Sequence, residues 1–105
     1  MFGTISRWRL KEGVTEQQLA EFVDSMRADR PASAVALVVL RSASDPREMW
    51  IAGAFESRAA YDANAASPEQ NARFERVRAL MEGAPEWHDG DVLAAYHRDQ
   101  VTTGV

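Results

Sequence analysis

From Phe2 to Leu10 the chain alternates. Phe2, Thr4, Ser6, Trp8 and Leu10 fall on one side of an extended segment, and Gly3, Ile5, Arg7 and Arg9 on the other. That period of two predicts a strand. Lys11-Glu12-Gly13 reads as a turn. Thr15 then stands three residues before Gln18, the spacing at which each side chain satisfies the other's free backbone donor at a helix start. Leu19, Phe22, Val23 and Met26 follow at helical spacing as one apolar stripe. This helix is expected to stop near Asp29, because Arg30 precedes Pro31 and is biased away from helix. Residues 34–41 are apolar and rich in β-branched side chains, and residues 49–55 form a second apolar run. With the turn Ser44-Asp45-Pro46-Arg47 between them, the two predict a hairpin. Ser57 is placed to cap a short helix to about Ala65. Ser67-Pro68-Glu69-Gln70 is a stronger helix start, with Ser as cap and Pro at the first helical position. Phe74, Val77 and Met81 carry the apolar stripe of that helix, with Leu80 beside it, and Gly83 and Pro85 end it. Val92 to His97 reads as the last strand, and residues 99–105 as a loose C-terminal tail. The order β-α-β-β-α-β predicts an α+β, ferredoxin-like sandwich with one four-stranded antiparallel sheet and both helical regions on one face. Residues 1–98 form the single expected domain.

A sheet covered on one face alone should alternate apolar and polar residues. Val38-Val39-Leu40, Trp50-Ile51-Ala52 and Val92-Leu93-Ala94-Ala95-Tyr96 are instead apolar on both faces. The helices cover one face, and the other would be an apolar patch larger than monomers usually expose. A second copy of the same sheet is the simplest cover, so a homodimer packed sheet to sheet is expected. Trp50 is an expected anchor of that interface.

Composition removes several classes. The chain has 105 residues, no cysteine, and a net charge of −4. It offers no disulfide framework, thiolate metal site or cysteine nucleophile. A weakly acidic chain is a poor nucleic-acid binder. No apolar run approaches the ~20 residues of a membrane span, and the N-terminal segment lacks a signal-peptide pattern. The expected setting is cytoplasmic, with neither nucleic acid nor membrane as partner. No phosphate-cradling glycine loop is present, and His88 and His97 have no nucleophile placed beside them.

The stretch Phe55-Glu56-Ser57-Arg58-Ala59-Ala60-Tyr61-Asp62-Ala63-Asn64 resembles the strand-to-helix junction of antibiotic biosynthesis monooxygenase (ABM) domains. The basic first strand ending in Lys11-Glu12-Gly13, and the second running into Arg41-Ser42-Ala43-Ser44-Asp45-Pro46, resemble the same family. The similarity extends over residues 2–97. It implies a dimeric α/β barrel. It also implies a choice of activities: oxidation of aromatic polyketides by oxygen without a cofactor, haem degradation, or none established. The Asn, Trp and His of the haem degraders have no counterpart here, which argues against that branch. The polyketide oxygenases are matched at Tyr61, while Phe55 stands where they carry Trp, Ile51 where they carry Asn, and Arg41 where they carry His. The resemblance therefore implies Tyr61 as the catalytic residue. Phe55, Ile51, Gly53, Arg41 and Asn64 are the expected substrate-binding set, for a phenolic or quinol-type aromatic molecule, with no cofactor and no metal. The alternative is a non-catalytic ligand-binding or stress-related dimeric barrel protein.

Strand alternation puts Met49, Ile51, Gly53 and Phe55 on one face, where Tyr61 could complete a pocket. Arg7, Arg9 and Arg41 could give an anionic ligand a positive rim. The acidic stretch Glu82 to Asp91 reads as a solvated loop whose carboxylates and His88 match no metal-loop spacing, although His88 has a side chain suited to general-base work. Glu69 with Arg73, and Arg78 with Glu82, are expected helix-surface ion pairs.

Overall fold

The computed structural model describes residues 1–98 and 100–103. Its elements are β1 (Phe2–Arg9), α1 (Glu16–Ala28), β2 (Ala34–Arg41), β3 (Glu48–Phe55), α2 (Arg58–Ala65), α3 (Pro68–Leu80), β4 (Glu86–Asp91), β5 (Ala94–His97) and β6 (Gln100–Thr103). The first four of the strands form one antiparallel sheet in the order β2-β3-β1-β4, the ferredoxin-like arrangement, with the second helical region split into α2 and α3.

The local signals act as the sequence predicts. Thr15 and Gln18 form the reciprocal cap of α1, and Asp29 is its C-cap. The Ser57 side chain caps α2 at the Ala60 amide, and that of Ser67 caps α3 at the Gln70 amide with Pro68 at the helix start. Replacing Ser67 by Ala leaves that amide without its partner and should lower stability by about 1 kcal/mol, read as a shift of the urea midpoint; an unchanged midpoint would show the cap to be silent.

The core lies between the sheet and α1 and α3. Trp8, Leu10, Met49 and Ile51 meet Phe22 of α1, Val77 of α3 and Met81, with Leu19, Met26, Val39, Phe74 and Leu80 packed around them. Val23, expected in the α1 stripe, is instead 41% exposed. Trp8 is the hinge of this packing. Its ring centroid lies 5.9 Å from that of Phe74 and 5.7 Å from that of Trp87. Its ring N–H donates to Ser6 Oγ at 2.8 Å, and Ser6 Oγ donates to the Ile51 carbonyl at 3.3 Å, so the buried hydroxyl is satisfied on both sides. Gly3 marks a close approach, since a Cβ there would stand 2.2 Å from the Gly53 carbonyl oxygen on β3.

The expected last strand is in the wrong place. Residues 86–91, read from sequence as an acidic loop, form β4 and pair with β1 from Phe2↔Asp91 to Arg7↔Glu86. An edge strand has one unpaired backbone side and tolerates polar, charged side chains, so it lacks the apolar signature by which inner strands are recognised. Trp87 alone anchors it, turning onto Trp8 and Phe74. The Val92 amide still donates to the Met1 carbonyl at 2.9 Å, at the end of the ladder. The apolar run that follows leaves the sheet and pairs with β6 as a separate two-stranded ribbon. Residues 100–103 are thus a strand and not the loose tail expected; residues 99, 104 and 105 lie outside the described residues.

Candidate functional site

Register fixes which side chains share the helix-covered face. Thr4 faces Gly53, Ser6 faces Ile51 and Phe2 faces Phe55 across β1 and β3, while Leu37 on β2 faces Gly53. Over these lie α1, α2 and α3. Between sheet and helices is a cavity of about 190 Å³. Five of the six sequence-predicted site residues line it: Ile51, Gly53 and Phe55 from β3, and Tyr61 and Asn64 from α2. Gly53 has only the Leu37 and Phe55 side chains near a built Cβ, at 3.6 and 4.0 Å, so its missing side chain opens space above the sheet.

The sixth, Arg41, is not part of this site. It ends β2 beside Met49, and its guanidinium donates to Glu16 at the start of α1 at 3.0 Å. The positive rim likewise does not form: Arg7 is paired with Glu48, and Arg9 with Asp45 at 2.9 Å. A guanidinium paired with a neighbouring carboxylate is neutralised locally before it can serve a ligand.

Tyr61 is held by aromatic edges. Its ring stands 5.1 Å from Phe2 and 5.4 Å from Phe55, both edge-to-face. Its hydroxyl donates to Asp89 Oδ1 of β4 at 3.3 Å. Partial burial raises the Tyr61 pKa above the ordinary phenol value, and the Asp89 charge adds to that, so the group is a neutral phenol near pH 7. It is a hydrogen-bonding group, not a ready base.

The opposite end of the cavity is polar and was not anticipated. Asn64 Nδ2 donates to Gln70 Oε1 at 3.1 Å, and Arg73 donates to Asn64 Oδ1 at 3.3 Å and to Gln70 Oε1 at 3.2 Å. Arg73 also donates through Nε to the Asp29 carbonyl at 2.9 Å. The carboxylate of Asp29 takes a 2.6 Å bond from Arg76, which holds its pKa below the usual range, and Arg73 adds to the effect. This cluster ties the end of α1 to α3 across the cavity mouth. Arg73 therefore crosses between helices and does not pair with Glu69 on its own surface, and Arg78 meets Glu75, because Glu82 pairs with Arg47. Sequence did carry one signal of the cavity floor: Thr4 and Ser6 interrupt the covered face of β1 with hydroxyls.

His88 lies on the other face of the sheet. Its ring Nε2 is 2.8 Å from Glu86 Oε1, an orienting partner that sequence reading did not supply, and it is no part of the cavity beside Tyr61. Among the described residues no cluster of three or more His, Asp or Glu side chains is arranged to hold a metal.

No protein-family model matches the chain, and none of the curated proteins does. Solved structures do match its fold. An antibiotic biosynthesis monooxygenase superposes with a TM-score of 0.65 at 17% identity, covering 88% of this chain and 98% of that one. A variant of SnoaB, a cofactor-independent oxygenase from Streptomyces nogalater, gives 0.70 at 14% identity, covering 85% and 89%. The protein NE2512 of Nitrosomonas europaea, of unknown function, gives 0.70 at 22% identity, covering 91% and 92%. The chain has the ferredoxin-like fold of the ABM proteins.

Proposed function

We propose that this chain is an ABM-type protein that binds an aromatic small molecule in the cavity between sheet and helices and oxidises it, as a cofactor-independent monooxygenase acting on phenols or quinols. The observation that carries this reading is the convergence of Tyr61, Phe55, Ile51, Gly53 and Asn64 on one mostly apolar cavity from two separate elements, β3 and α2. Cofactor-free oxygenation needs a substrate that can itself give electrons to oxygen. The protein then supplies a dry, shaped pocket and a few hydrogen bonds. Phe55, Phe74 and Trp87 give flat apolar walls for an aromatic ring, and the Tyr61 hydroxyl gives a polar point of attachment. Oxygen uptake with hydroquinone- or anthrone-type substrates should fall about tenfold or more in Tyr61→Phe, within the range for loss of one proton-handling or hydrogen-bonding group. Uptake unchanged in that variant would remove Tyr61 from the reaction.

A non-catalytic ligand-binding role is favoured by one feature: the carboxylate that lines the cavity, Asp29, is committed to Arg73 and Arg76. No oxygen uptake with any such substrate, together with measurable binding of them, would establish that role.

We further propose that the working unit is a homodimer packed through the open sheet face. Ile5, Val38 and Leu40 stand about half exposed there, beside Trp50, whose ring is covered on one side by the Arg7 guanidinium at 5.6 Å. The departure of residues 92–97 from the sheet removes part of the apolar surface expected from sequence, but Val92, Ala94 and Ala95 still border a groove of about 400 Å³ with Ile5, Val38 and Ala52.

A further inference from the structure

We infer that Asp89 sets the hydrogen-bond polarity of the cavity, so that Tyr61 accepts from a ligand and the site selects aromatic molecules carrying an O–H or N–H donor over those that carry only acceptors. This rests on the ligand-binding reading above and names the chemistry that the site prefers.

A phenol has one proton to give. Tyr61 directs its own to Asp89 Oδ1, 3.3 Å away on β4. An ionised carboxylate is an acceptor only, so the direction of this bond cannot reverse. A carboxylate is a better acceptor than a neutral ligand oxygen, so a carbonyl or ether is a poor competitor for the proton. Thr4, which lies against the same Tyr61 hydroxyl, does not change the count: its proton reaches the His88 carbonyl at 3.3 Å or the Tyr61 oxygen, and in either case Tyr61 gains nothing to donate. What remains to a ligand is a lone pair on the Tyr61 oxygen.

The surroundings keep Asp89 in this role. Two carboxylates bond side chains that line the cavity, and they differ in their commitments: Asp29 is bound by two arginines, whereas Asp89, outside the lining, has Tyr61 as its side-chain partner. The charged groups that α2 brings near are Asp62 and Arg58. Asp62 reinforces the neutral state of Tyr61, and Arg58 lies over the Phe2 ring at 5.3 Å and pairs with Asp62 at 3.9 Å. A phenol or hydroquinone fits such a site, while a quinone or an aryl ether leaves the Tyr61 lone pair facing another acceptor. For a quinol-oxidising protein, the same polarity would hold the substrate and release the product.

The test compares 2-naphthol, its methyl ether and naphthalene by titration calorimetry. The wild-type chain should bind the naphthol about tenfold or more tightly than the ether, the scale of one satisfied against one opposed hydrogen bond. In Asp89→Asn the amide can give as well as take, Tyr61 recovers a proton to donate, and the preference should shrink to within about threefold. A second readout needs no ligand. In a Tyr96→Phe background, ultraviolet titration follows Tyr61 alone, and Asp89→Asn should move its ionisation to lower pH. Equal binding of naphthol and ether by the wild type, a preference that survives Asp89→Asn, or an unmoved Tyr61 titration would each overturn the inference. Naphthalene binding without a donor preference would do so while leaving the aromatic-binding reading intact; failure of all three molecules to bind would overturn both.

Discussion

Trp8→Ala is expected to lower stability by about 3–5 kcal/mol, the range for deleting a large buried aromatic side chain. Trp8 is 4% exposed and packs against both Phe74 of α3 and Trp87 of β4. Its loss opens a cavity between sheet and helix and removes the donor that Ser6 Oγ accepts, so a buried hydroxyl loses part of its satisfaction as well. It also takes from Trp87, the apolar anchor of the polar edge strand β4, one of its two aromatic partners. In a domain of this size the midpoint of thermal unfolding should fall by roughly 10 °C or more, read by circular dichroism. Trp8→Phe keeps most of the apolar volume and loses the N–H, so it should fall between the two. A Trp8→Ala midpoint within about 2 °C of the wild type would mean that the helices hold the sheet by other contacts.

Val38→Asp is expected to convert a dimer to a monomer without unfolding the chain. Val38 is 55% exposed on the open face and pairs with Ala52 in the β2–β3 ladder. A carboxylate there costs the isolated domain little, because water still reaches it. In a two-fold symmetric interface the same change occurs on both sides of the axis, so two charges would be desolvated together without partners. Native mass spectrometry should give twice the 11.7 kDa chain mass for the wild type and the chain mass for the variant. The far-ultraviolet spectrum should be the same for both. A wild-type protein that is a monomer at micromolar concentration would remove the sheet-to-sheet dimer, and the open face would then need another explanation.

The site depends on residues that are legible to different degrees. Ile51, Gly53 and Phe55 could be placed together from strand alternation alone, because a period of two leaves no freedom about which side chains share a face. Tyr61 and Asn64 are three apart on one short helix, and the Ser57 cap sets where that helix starts, so their common face was also readable. Asp89 and Trp87 were not. Both belong to a strand that carries a carboxylate at three of its six positions, and charge in a short segment reads as solvated loop. Arg73 was misread for a related reason: a glutamate four residues earlier predicts a surface pair, and nothing local announces that Asp29, 44 residues away in the chain, will take the guanidinium instead.

What the sequence determined by itself is whatever depends on neighbours within a few residues. The caps of α1, α2 and α3, the break at Ser67-Pro68, the β2–β3 hairpin and the two faces of β1 and β3 all follow from local backbone chemistry and side-chain period. These suffice for the β-α-β-β-α-β order and hence for the fold. The tertiary structure decided which segment closes the sheet, because an edge strand is chosen by the backbone groups that β1 leaves unpaired and not by its own hydropathy. It decided that Arg41 serves the start of α1 and stands outside the cavity. It also decided that the Tyr61 proton goes to Asp89, since the direction of a hydrogen bond is set by the acceptor that folding brings within reach.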